Sequence, residues 1–372
     1  MSDCLIVGAG LIGMLCAREL HRAGLDVTLV ERGEPAREST WAGGGILSPL
    51  YPWRYPVAVN ELARWSQAVY PDLCQALFED SGIDPEYQRN GLLVLDDDET
   101  EEARAWAQRF DARLEVIDAD EARRLEPRLG HAGRRALWLP DIGQVRNPRI
   151  GRALRVALER AGVRFRSGCE VQGIRVRDGR VRGVDTADGL LAAGTVLVAG
   201  GAWSGELLAT TGLRLPVRPV RGQMILFRAT PGLVQRIDLY RGRYVIPRRD
   251  GRVLTGSTLE HAGFDKRTTG EALEDLRAAA LELIPALADA PVEHHWAGLR
   301  PGSPDGVPFI GPHPRVAGLW VNAGHYRNGV VLGPASARLL ADRLLGRPGE
   351  LDRLAQATEP KEENEGESGP WT

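Results

Sequence analysis

The chain is poor in cysteine. Its 372 residues include only Cys4, Cys16, Cys74 and Cys169. No two of these form a Cys-x-x-Cys pair, and none stands near a histidine at metal-ligand spacing. Neither a disulfide framework nor a metal site is therefore expected. Cys4 and Cys16 fall in apolar segments, where a thiol acts as a small core residue. This usage fits a reducing compartment, and the cytoplasm is the expected location. His294 and His295 are adjacent in a strand-like run, so they point to opposite faces and cannot chelate one ion. No run reaches the roughly 20 apolar residues of a membrane helix. The N-terminus lacks a basic leader, carries Asp3 and is interrupted by glycines, so no export signal is expected. Charge of one sign is also lacking. The formal net charge is −3, without the basic footprint of a nucleic-acid binder. Ser48 and Ser204 lack the strand–elbow–helix setting of a nucleophile.

What is present has a clear order. The length predicts two closely packed domains. Residues 3–8 read as a buried strand, 11–23 as a helix stopped by Gly24, and 26–31 as the next strand, which makes one βαβ unit. Helices are predicted over 57–80, 99–110, 118–127, 150–161, 270–288 and 329–345. Strands are predicted over 91–95, 163–166, 170–176, 180–186, 195–198, 217–228, 242–247, 252–258, 293–299 and 318–323, with Asp178-Gly179 and Asp250-Gly251 as turns. Residues 356–372 are polar and acidic and should form a disordered tail. The fold class expected is α/β with an α+β second domain. A discontinuous Rossmann-type domain (1–80, 145–215 and 295–350) would carry an inserted antiparallel-sheet substrate domain (81–144 and 216–294).

Gly8-Ala9-Gly10-Leu11-Ile12-Gly13 follows the first strand and opens the first helix. Gly8 permits the tight turn, Gly10 lets a pyrophosphate approach the backbone, and Gly13 lets the helix pack on the sheet. The first-turn N–H groups then face phosphate. Glu31 closes the second strand, where it would accept hydrogen bonds from an adenosine ribose. This much defines an adenine dinucleotide, FAD or NAD. Four later segments point to FAD. Residues 39–46 form a second small-residue loop, and residues 195–204 an apolar strand ending at Gly200-Gly201. Residues 298–311 contain Arg300 in a Gly/Pro setting. Residues 324–329 read Gly-His-Tyr-Arg-Asn-Gly before the last helix.

In this order the five segments resemble the D-amino acid oxidase superfamily of FAD flavoproteins, and within it the glycine oxidases of thiamine biosynthesis. The likeness runs from about residue 3 to about residue 350. Its most specific parts are 298–311 and 324–329, since D-amino acid dehydrogenases usually lack the arginine of the latter. The resemblance implies FAD on the Gly8, Gly10 and Gly13 fingerprint, with contacts at Leu11, Ile12, Glu31, Arg32, Ser39, Thr40, Gly44, Gly45, Ile46 and Gly200. Val171 would touch the adenine end. His325, Tyr326, Arg327, Asn328, Gly329, Val330 and Val331 would wrap the isoalloxazine. No cysteine lies near Arg300, so the FAD should be non-covalent.

For the substrate, a guanidinium suits a carboxylate because it donates two parallel hydrogen bonds. Arg300 is the candidate, with Tyr244 and Arg327 at matching family positions. Leu259 falls where the family lines its substrate pocket. The stretch Tyr51-Pro52-Trp53-Arg54-Tyr55 is either a lid or a packed surface loop. The implied activity is oxidation of glycine, sarcosine or small D-amino acids by molecular oxygen, with no obligatory side-chain acid or base. Its products would be imine or oxo acid, ammonia and hydrogen peroxide. The likeness implies a homo-oligomer, a tetramer in the family; neither nucleic acid nor membrane is an expected partner. Two alternatives stay open: a dehydrogenase of this fold that feeds a quinone, and a non-catalytic flavin-binding subunit.

Overall fold

The computed structural model describes residues 2–96, 98–130 and 133–362. A six-stranded sheet runs in the order Phe309–Pro312, Leu319–Ala323, Val196–Val198, Cys4–Val7, Val27–Glu31 and Arg164–Ser167. Its neighbours pair in parallel except at the Phe309–Pro312 edge. Both faces are covered, which is why its central strands are apolar at almost every position. Cys4, Ile6, Leu29 and Leu197 pack against helices Leu11–Arg22, Val57–Ser81, Asn147–Arg160 and Gly329–Leu344. Leu5, Val7, Val30 and Val198 point the other way, towards the three-stranded sheet Val171–Arg177, Arg180–Thr186 and Gly189–Ala192.

An eight-stranded sheet follows the order Val292–Gly302, Arg218–Arg228, Arg252–Gly256, Arg243–Pro247, Ile237–Tyr240, Leu92–Val94, Arg135–Leu139 and Glu115–Asp118. One face (Ile225, Phe227, Val245, Val253) packs on helix Gly270–Leu283. The opposite face presents Met224, Tyr244 and Ile246.

Several boundaries differ from expectation, each for a local reason. Strand Val292–Gly302 crosses the domain boundary expected at 295. It pairs with Arg218–Arg228 from Arg218 opposite Gly302 to Phe227 opposite Val292, so the antiparallel sheet holds it to its end. The helix expected over 270–288 stops at Leu283, because Pro285 lacks the N–H that would continue it. Strands Glu115–Asp118, Arg135–Leu139, Gly189–Ala192, Ile237–Tyr240 and Phe309–Pro312 escape the sequence reading; they are short and mostly at or near sheet edges. The chain is also ordered past residue 356. Residues Ala355–Thr358 form a helical turn with Thr358 buried, Leu351 and Leu354 join the core, and Arg315 pairs with Glu362 at 2.8 Å. The rest of the expected tail, 363–372, lies outside the described residues. Among the described residues no helix is long and apolar enough to cross a membrane.

Candidate active site

A cleft of about 600 Å³ opens where the parallel strands end. Gly8, Glu31, Gly200 and Gly324, each at the carboxyl end of a strand, all line it. That is where open α/β sheets place ligands.

The fingerprint turn is built as its glycines require. Gly8 has φ +103°, and a Cβ there would stand 2.4 Å from the Ala199 oxygen. A Cβ on Gly13 would stand 1.9 Å from the Gly8 oxygen, so Gly13 packs the helix against the turn and does not line the cleft. Glu31 braces the turn from below. Its Oε2 accepts from Ala9 N at 2.9 Å and its Oε1 from Gly33 N at 3.1 Å. A carboxylate keeps further lone pairs after two such bonds. Thr40 Oγ1 accepts from Leu11 N at 2.8 Å, and Ser39 Oγ donates to Leu299 O at 2.6 Å. These two hydroxyls tie the loop to the helix and to the second sheet. Arg32 stacks on Trp203, 3.5 Å from the ring centroid. Gly10, Ile12, Gly44, Gly45, Ile46 and Val171 complete this wall.

The other wall carries two cations. Arg300 Nη2 donates to Ser257 Oγ at 2.6 Å, and Nη1 to Thr258 O at 3.2 Å and Arg221 O at 3.3 Å. Those partners are neutral, and burial lowers its pKa from the ordinary guanidinium value. Among the described residues Arg327 makes no hydrogen bond or ion pair, and it too lines the cleft. Tyr244 is buried between them and the glycine loop. Its hydroxyl is 3.9 Å from Met224 Sδ, a weak acceptor. Two guanidiniums without a carboxylate partner make a receptor for an anion. His325 Nε2 is 3.0 Å from Ser336 Oγ, and burial pushes this imidazole down to about 3, so it is neutral. The Tyr326 hydroxyl and Asn328 Nδ2 are buried at the cleft without a partner among the described residues. Buried polar atoms are seldom left so unless a ligand or water completes them.

Two expectations are corrected. Val331 is 1% exposed and belongs to the helical core, because it lies on the face of helix Gly329–Leu344 turned from the cleft. Leu259 is 40% exposed and does not line the cleft, since strand Arg252–Gly256 ends before it. The 51–55 stretch, which the sequence leaves open between a lid and a packed surface loop, is a turn held by hydrogen bonds. Tyr51 OH donates to Asp96 Oδ2 at 2.5 Å and accepts from Gly242 N at 2.9 Å, while Trp53 Nε1 donates to Glu99. Gly222, Met224 and Ser257 line the cleft and were not anticipated. A glycine inside a strand is a sign of close approach, so Gly222 was legible in principle. Nothing in the sequence singles out Met224 or Ser257.

The donor set fits FAD. A helix N-terminus meets a glycine-lined channel, Glu31 closes one end, and a second helix N-terminus after Asn328 lies at the cleft. A family model described as FAD dependent oxidoreductase matches residues 3–343. The chain belongs to this family of FAD-dependent oxidoreductases. It is 55% identical over 350 residues to a glycine oxidase of Pseudomonas aeruginosa, covering 94% of this chain and 96% of that protein. It is 51% identical over 356 residues to a glycine oxidase of Pseudomonas putida, covering 95% and 98%. The crystal structure of glycine oxidase from Geobacillus kaustophilus superposes with a TM-score of 0.92 at 32% identity, covering 98% of this chain and 99% of that one.

Proposed function

We propose that this enzyme oxidises glycine and other small amines, sarcosine and small D-amino acids among them, as a glycine oxidase. The observation that carries the reading is the pair Arg300 and Arg327, both without a carboxylate partner among the described residues, in the same cleft as the dinucleotide fingerprint. FAD would lie along Gly8 to Ile12, Glu31, Arg32, residues 39–46, Val171, Gly200 and residues 325–330. The six-stranded sheet with its helices would form the cofactor domain, and the eight-stranded sheet up to Gly302 the substrate domain.

The chain's own residues then have distinct tasks. Arg300 takes the substrate carboxylate in its fork, and the Tyr244 hydroxyl donates a third hydrogen bond. Two nearby guanidiniums disfavour a third cation, so the amine binds as the neutral base. Fixing the carboxylate orients the Cα–H, which supplies much of what a reaction between bound partners needs. When bound, FAD would supply the two-electron acceptor for that hydrogen as hydride, with oxygen as the final acceptor and hydrogen peroxide as the product. No side-chain base is required, and the buried neutral His325 is already engaged by Ser336. The imine hydrolyses to oxo acid and ammonia, or is passed on in thiamine synthesis. A cytoplasmic homo-oligomer, a tetramer by likeness, completes the reading.

The test is direct. The purified protein should show a flavin spectrum, bleach anaerobically with glycine, sarcosine or D-alanine, and yield one peroxide per amine in air. Bleaching by none of the three overturns the reading. Bleaching with dye reduction but little peroxide would favour the quinone-linked alternative.

A further inference from the structure

Arg248 follows strand Arg243–Pro247 and is 7% exposed. Its Nη2 donates to Gly44 O at 2.7 Å, and its Nη1 to Gln144 Oε1 at 2.5 Å and Val145 O at 3.2 Å. Among the described residues no carboxylate forms an ion pair with it. Burial pushes its pKa down to about 10, so it is still a cation at neutral pH. Its direct hydrogen-bond partners are all neutral oxygens, with Glu86 and Asp250 acting on it only through space and Arg146 opposing them, so burying this charge is costly. No ion pair among the described residues accounts for the charge, which asks what it is for.

The position answers. Tyr244, Ile246 and Arg248 alternate along the chain and share a face. Gly44 lies against it: a Cβ there would be 3.0 Å from Ile246 Cδ1 and 3.4 Å from Tyr244 Cε2. Gly45 has φ +82°, and its Cβ would stand 2.0 Å from Val145 O, so the backbone here is fixed from behind. The N–H groups of Gly44, Gly45 and Ile46 donate to no described protein acceptor, and all three residues line the cleft. These donors belong to cleft-lining residues and are left for a ligand, with a cation on the Gly44 carbonyl. A cation on Gly44 O polarises the Gly44-Gly45 amide and makes the Gly45 N–H a stronger donor. Donors and positive potential favour the more negative state of the ligand, which for a flavin is the reduced one.

We propose that Arg248 is a positioning residue that orients the amides of residues 44–46 and, through its buried charge, raises the reduction potential of the bound flavin. This rests on reading the cleft as the FAD site. The test uses the FAD-loaded full chain and three variants: Arg248→Lys keeps the charge, Arg248→Gln keeps an amide donor without charge, and Arg248→Met keeps neither. The midpoint potential is titrated with a chemical reductant and no amine substrate, so the outcome is separate from whether glycine is oxidised. The Gln and Met variants should bind FAD with about tenfold lower reduced-to-oxidised ratio at fixed poise, a fall of about 30 mV for two electrons. The Lys variant should stay within about twofold of the parent. A Gln variant with the parent potential overturns the proposal, and so does a Lys variant that falls as far as Met. If neither Lys nor Gln retains FAD, Arg248 is a structural brace and the claim about potential fails.

Discussion

The guanidinium of Arg300 lies directly on Gly222. A Cβ at Gly222 would stand 2.2 Å from both terminal nitrogens of that arginine. The two residues are diagonal neighbours on paired strands, Arg218–Arg228 and Val292–Gly302, in the register that sets Val220 opposite Arg300 and Gly222 opposite Gly298. The absence of a side chain at 222 is therefore what lets the arginine lie flat and present its fork.

Gly222→Ala should push Arg300 out of place while leaving the FAD wall untouched. Losing one good bidentate contact is worth about 3 kcal/mol, or about a hundredfold in KM. Arg300→Ala should do the same or worse, also with FAD retained. Steady-state kinetics with glycine, read beside the flavin spectrum, checks both. Loss of FAD in either variant would mean that Arg300 holds the fold and not the substrate.

Glu31 offers a separate handle on the cofactor. Its two oxygens already accept from Ala9 N and Gly33 N, so it both shapes the turn and faces the cleft. Glu31→Gln keeps the shape, but it removes the charge that strengthens those bonds and sets an NH2 donor against one of the two N–H groups. About 1.5 kcal/mol is at stake, so FAD should bind about tenfold more weakly. Fluorescence titration of the apoprotein with FAD measures this. At saturating FAD the turnover number should be near that of the parent; a large fall there would place Glu31 in the chemistry.

The pH dependence should belong to the substrate. Burial holds His325 at about 3, so its imidazole stays neutral throughout an ordinary assay range. The rise of kcat/KM between about pH 6 and 10 should report the amine losing its proton. His325→Gln should leave that limb where it is, while replacing glycine by a substrate of different amine pKa should move it. A limb that moves with the His325 variant would make the imidazole a proton acceptor after all.

The cofactor side was easier to read from the sequence than the substrate side, for a physical reason. Gly8, Gly10, Gly13 and Glu31 are neighbours in one βαβ unit, so their spacing alone carries their arrangement. Tyr244, Arg300 and Arg327 come from three distant segments, and only family resemblance picked them out. What surrounds them stayed hidden. Ser257 meets Arg300 across 43 residues of chain, and Arg248 reaches Gly44 across 204. No local pattern encodes such pairs. The Pro-Arg-Arg-Asp-Gly run at 247–251 looks like an ordinary polar turn, yet its first arginine is buried and its second is exposed.

Asp238 is another residue no local rule would flag. It sits mid-strand, paired with Leu93 on one side and Val245 on the other, on the face covered by helix Gly270–Leu283. It is 0% exposed, and among the described residues neither carboxylate oxygen has a partner. Burial, with the nearby Glu126 adding to it, holds its pKa well above the ordinary carboxylate range. The native state thus keeps a proton that the unfolded chain gives up near pH 4. By linkage, the stability this carboxyl allows is greatest in acid and declines as pH rises from about 4 towards the native pKa. Asp238→Asn cannot ionise and should remove that decline. The FAD-loaded variant should melt higher than its parent at pH 8, by the equivalent of about 1–3 kcal/mol, with the advantage shrinking towards pH 5. Thermal unfolding at the two pH values decides it. An equal shift at both would mean that the carboxyl does not titrate in this window, and that its unpaired oxygens matter only as packing.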